Sequence, residues 1–211
     1  MNEAVKSYVM CKSRLAMRLT RKIDFRYFLL PLVISVVMAW IFYEGIYTAR
    51  KPFFEQASII SLSSFAGISF LRFILKRQPF FLWATALLAV LLCREIHFSG
   101  SDELFYAGIF SLFIVALVCY EPLEKFLGNS FVLTFIAMGF FSYFLTYTYD
   151  HRWWRFVPGE KIFEGRLEEF MELFSHCVVG LTLIVSRETH PASAAELADG
   201  SPKRLTAAQK R

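Results

Sequence analysis

Residues 166–188, RLEEFMELFSHCVVGLTLIVSRE, begin with the charges of a surface helix and end in an unbroken apolar run. On a helix, Glu168, Glu172 and His176 step by four and form one stripe, which Gly180 continues and Glu169 borders. At 1.5 Å per residue, His176 lies roughly 10–12 Å beyond Glu168 along the axis. Glu168 therefore reaches a headgroup region, and Glu172 and His176 do not. A charge deep in a membrane span costs on the order of 2.5–3.5 kcal/mol, so such groups face the bundle interior and meet partners there. The rest of the chain has to supply them.

Working outward, the apolar residues come in long blocks. With 56% of residues hydrophobic, the chain exceeds the ordinary soluble domain. Blocks of about 18 apolar residues read as transmembrane helices. Six are expected: 27–47, 57–75, 79–97, 103–120, 130–149 and 167–186. The expected fold is all-α, a polytopic transmembrane bundle of six spans with both termini inside. Residues 1–26 form a basic amphipathic segment, 27–188 the transmembrane domain and 189–211 a small, polar, disordered tail. In the first segment Ala4, Tyr8, Cys11, Leu15 and Leu19 share one helical stripe, opposite Lys6, Arg14, Arg18 and Arg21. That pattern suits a helix on an anionic membrane surface, or a fraying basic tail. The first span has the length of a retained signal anchor.

Orientation follows from Lys and Arg. With the N-terminus cytoplasmic, the inner segments carry 16 of the 23 basic residues and the outer segments 7. The expected location is a bacterial-type inner membrane, with both termini cytoplasmic. The net charge of +5 is then the inside charge and calls for no nucleic acid. The four cysteines are scattered without a Cys-x-x-Cys pair, so no zinc ribbon or dithiol redox site is expected.

The second span is rich in serine (Ser58, Ser61, Ser63, Ser64, Ser69) and includes Gly67, which reads as a closely packed helix rather than a hydrophilic path. Before the fourth span, Ser99 or Ser101 is expected to cap the helix, with Asp102 and Glu103 in its first turn. The outer loop YDHRWWRFVPGEKIFEG places Trp153 and Trp154 in an interfacial aromatic belt and Arg152 and Arg155 among headgroups.

The end of the third span, LLCREIHF, brings Arg94, Glu95 and His97 to the level of Glu172 and His176. Four readings of that meeting differ in chemistry. Arg94 pairs with Glu172 or Glu169 and closes the bundle top, a structural ion-pair network. Alternatively, Glu172, His176, Glu169 and His97 hold a divalent metal such as zinc, whose water attacks a lipid headgroup, with Glu172, His176, Glu95 and Arg94 as the catalytic set. A third reading is a proton relay, which the nearly apolar fourth and fifth spans do not continue inward. The last is a rim that grips a membrane lipid or a membrane-protein partner, in a transport or assembly subunit. The paired last-helix histidines of zinc-dependent membrane hydrolases are absent, as is the Lys-Arg-His signature of membrane phosphatases.

Overall fold

The chain folds into α-helices whose ends are set by local chemistry. The computed structural model describes residues 3–47, 50–96, 100–157 and 159–187. Its elements are α1 (Glu3–Thr20), a 3-10 turn (Phe25–Phe28), α2 (Leu29–Tyr43), α3 (Lys51–Lys76), α4 (Pro79–Glu95), α5 (Ser101–Val118), α6 (Tyr120–Leu127), α7 (Ser130–Asp150) and α8 (Glu160–Val185). Pro52 and Pro79 stand in the first turns of α3 and α4, where a missing N–H costs no helical bond. Arg77 ends α3 in the left-handed region at φ 52°. The Asn129 side chain accepts from the Phe131 N–H at 2.9 Å and caps α7. The cap of α5 is Gly100, at φ 86°, and not Ser101, which is the first helical residue. Ser99 and His97 lie outside the described residues.

Three described helical segments are long and apolar enough to cross a membrane: Phe25–Tyr43, Lys51–Lys76 and Ser130–Asp150. A fourth is reached if α5 and α6, bent by 96° at Cys119, count as one broken span. Three or four replaces the expected six. The shortfall has a physical reason. α4 has only 17 residues and ends in Arg94–Glu95, and the first half of α8 carries Glu168, Glu169 and Glu172. Neither presents an uninterrupted apolar length. Both are interior helices instead, and α8 buries twelve residues, among them Glu169, Glu172 and His176. The large apolar side chains left exposed sit mainly on the outer helices, such as Val36 and Trp40 on α2, Ile60 and Leu75 on α3, and Phe110 on α5.

Printed contacts fix the register. Lys51 meets Glu169, and Arg72 donates to the Ile184 and Ser186 carbonyls, so α3 runs parallel to α8. Tyr143 packs on His176, and Gly139 faces Val179, so α7 runs antiparallel to α8. Close approach happens at glycines of α7 and α8. A Cβ on Gly180 would collide with the Phe65 ring, and one on Gly139 with Val179. The serine-rich α3 uses its small residues differently from the expectation. Ser58 and Ser69 are fully buried, but Gly67 faces open space.

At the end where α8 stops, Arg72 lies over the Phe81 ring and satisfies carbonyls that the helix cannot. α1 docks at this same end. Lys12 donates to the Val118 carbonyl and Lys22 to the Gly128 carbonyl, both at 2.9 Å, and Leu15 and Leu19 pack on the core. The N-terminal helix and the end of α8 therefore share one end of the bundle. The core there is aromatic, with Phe80 stacked on Phe126 at 4.2 Å.

Candidate functional site

The polar groups of the opposite end converge, and they do so pairwise. On α8, Glu169, Glu172 and His176 present one stripe, all three buried. From α3, the Lys51 Nζ lies 2.6 Å from Glu169 and 3.9 Å from Glu55 one turn on. From α4, the Arg94 guanidinium lies 2.6 Å from Glu172, and Glu95 lies 3.5 Å from the His176 Nε2. Adjacent residues of α4 thus engage two residues of α8 four apart, which is the spacing of one helical turn. From α7, the Tyr143 ring meets the His176 ring edge-on, with centroids 5.3 Å apart. His176 is 1% exposed, and among the described residues its Nδ1 has no hydrogen-bond partner. The buried Tyr143 hydroxyl has none either.

The four residues singled out for chemistry, Arg94, Glu95, Glu172 and His176, are brought together. Between α4 and α8 they meet as pairs, Arg94 with Glu172 and Glu95 with His176. Opposite charges in a poorly hydrated interior attract strongly, and the side chains close the gap between the helices. The open volume lies on the other side of α4. A cavity of about 700 Å³ runs between α5 and α7, with Arg94 at its head. Eight of its ten lining residues are aromatic, among them Phe105, Tyr106, Tyr143 and Tyr147. The Arg94 guanidinium also lies 5.3 Å from the Phe105 ring centre, within cation–π range. Arg94 is therefore shared by a closed polar cluster and an open aromatic groove.

Three of the expected metal ligands have other partners, and the fourth, His97, lies outside the described residues. Glu169 is engaged by Lys51, Glu172 by Arg94 and His176 by Glu95. Among the described residues no three His, Cys, Asp or Glu side chains are grouped so as to hold an ion. Nor does a polar route continue inward among them. Beyond His176, α8 buries Val179 and Leu183, and Phe65 fills the space over Gly180. The Ser142 and Thr146 hydroxyls donate to carbonyls of their own helix.

Sequence reasoning missed two participants. Lys51 reads as a loop residue after Arg50, although its i,i+4 partner Glu55 is the mark of a helix start. Tyr143 is one tyrosine among several in an aromatic span, and nothing local marks its burial beside a histidine. The loop after α7 is a run of turns, in which Trp154 donates to the Thr148 hydroxyl at 2.9 Å, Trp153 stays exposed and Arg152 lies 3.2 Å from Glu164. His151 and Asp150 pair with each other on the exposed rim and take no part in the cluster.

No family model matches the chain, nor does any curated protein or solved structure compared with it.

Proposed function

We propose that this chain is a multi-pass protein of a bacterial-type inner membrane, with both ends cytoplasmic, that recognises the polar head of a bilayer lipid at Arg94. The observation that carries this reading is the position of that one guanidinium. Glu172 holds it from behind, and it forms the head of a cavity whose other walls are aromatic side chains and Ile109. A fixed donor at one end of an apolar cleft is how a protein orients an amphiphile. The orientation is supported by the basic residues of α1 and by Arg72, Lys76 and Arg77, which gather at the end shared by α1 and the end of α8.

The test is lipid retention. Wild-type protein and Arg94→Gln are purified in mild detergent, and co-purifying lipids are extracted and quantified against empty micelles. One lipid species held near one per chain, and depleted about ten-fold in Arg94→Gln at unchanged helix content, is the expected result. Equal retention by both overturns the reading. A metal-assisted form would add a divalent ion such as zinc at Glu172 and His176. Metal content below one ion per ten chains in the active preparation removes that form.

A second reading, a transport or assembly subunit that engages a membrane-protein partner, is favoured by a different observation. Glu169 and Glu172 are each held by a cation from a neighbouring helix, as in a purely architectural network. If Arg94→Gln loses thermal stability and keeps its full lipid complement, this second reading stands in place of the first.

A further inference from the structure

We infer that the first half of α1, residues 3–11, lies in the plane of the bilayer at its cytoplasmic surface, beside the bundle, with the face that carries Val5 and Tyr8 resting on anionic phospholipid. The inference rests on the multi-pass reading with a cytoplasmic N-terminus and makes no use of Arg94.

Three observations carry it. The first is direction. α5 runs antiparallel to α4 along its length: Arg94 lies over the Phe105 ring, Gly108 faces Val90, and the Trp83 Nε1 donates to the Leu112 carbonyl. At Cys119 the chain turns by 96°, so α6 leaves the bundle direction and lies across its end. α1 follows α6. Lys12 donates to the Val118 carbonyl and Lys22 to the Gly128 carbonyl, and both pairs are 106 residues apart in sequence, as neighbours running in the same direction must be. A helix set across the end of a bundle of spans lies parallel to the membrane surface.

The second observation is continuity. Val5, Tyr8, Lys12, Leu15 and Leu19 step by three and four and form one helical stripe. Its later members meet the bundle, Lys12 through the Val118 carbonyl and Leu15 and Leu19 against the core. Upstream the same stripe clears the bundle, and Val5 and Tyr8 are each 50% exposed. They point the way Leu15 and Leu19 point, toward the depth of the membrane. Beside them α5 turns Val115 and Val118 outward, also exposed, and in a multi-pass bundle such a surface faces lipid. The third observation is charge. Residues 3–22 hold six Lys and Arg against one Glu, and Lys6, Arg14, Arg18 and Arg21 are exposed. Lys76 and Arg77 close α3 at the same end. Basic side chains at this level are drawn to anionic headgroups. A second copy of the chain would bring the same cations and be repelled, so charge selects lipid over self-association.

The experiment uses the full-length protein in nanodiscs of phosphatidylcholine alone or mixed equally with phosphatidylglycerol. The exposed Cys11 and Cys119 are changed to serine, and an environment-sensitive fluorophore is attached at Tyr8→Cys or at Met10→Cys, which stand on opposite faces of α1. The chain without either new cysteine sets the background. In mixed discs, lipid brominated on its acyl chains is expected to quench the probe at position 8 at least about two-fold more than the probe at position 10. In neutral discs the difference shrinks. Changing Lys6, Arg14, Arg18 and Arg21 together to glutamine removes it from the mixed discs at unchanged helix content. Equal quenching at the two positions in mixed discs overturns the inference. So does a probe at position 8 that is shielded alike in neutral discs, in mixed discs and in the glutamine variant, which is the mark of cover by protein. If these tests fail while Arg94-dependent lipid retention is unchanged, the inference falls alone. A chain that does not enter the discs takes the multi-pass reading down with it.

Discussion

The two sides of α4 solve opposite problems. Where α4 meets α3 and α8, four carboxyl groups, two cations and a histidine come together as pairs. Beyond Arg94, between α5 and α7, the walls are mostly rings, and the result is open space. Charges in an interior of low dielectric pull together until they touch, because isolation costs them several kcal/mol each. Aromatic rings have no such pull in surroundings already apolar. Lipid tails satisfy them equally well, so a groove between spans can stay unfilled by protein. The polar cluster is thus the closed side of the bundle, and the aromatic groove is the open one.

That contrast can be broken in graded steps. The largest effect belongs to Arg94→Met, which leaves Glu172 buried beside no guanidinium. Thermal or denaturant unfolding in micelles is expected to register about 3–5 kcal/mol of lost stability. Gly180→Ala comes next, because the new methyl meets Phe65. Overpacking of this kind costs about 1–3 kcal/mol, and Phe65→Leu in the same chain should recover part of it. Lys51→Met is expected to cost about 1 kcal/mol or less by the same assay, since Lys51 is half exposed although Glu169 is not. Phe110→Ala closes the series. At 68% exposure on the groove side it should change stability by no more than about 0.5 kcal/mol. A large loss there would mean that the groove wall is core.

Much of the polar cluster was legible because helical spacing is a strong constraint. Glu172 and His176 step by four, Arg94 and Glu95 end the third apolar block, and the cost of a lone charge in hydrocarbon requires that the two sets meet. The α-helical class was legible from the apolar blocks for the same reason. The number of spans was not. An interior helix such as α8 tolerates acids that a lipid-facing helix does not, so composition over a window misjudges which helices stand at the edge. The place of the cavity was also hidden. It depends on α5 and α7 standing apart, which no local pattern in either helix records. Lys51 was hidden by a boundary: the helix begins at that residue and not six residues later, and one shift of that kind turns a loop charge into a partner for Glu169.

The account turns on Arg94 and Glu172 holding each other across α4 and α8, and a double-mutant cycle measures that directly. Stabilities of wild type, Arg94→Met, Glu172→Met and the double variant are compared in the same micelles. A coupling of about 2 kcal/mol or more, with the double variant more stable than either single one, is predicted. Effects that add to within about 0.5 kcal/mol would show that the two side chains do not meet, and the shared guanidinium at the head of the groove would be lost with them.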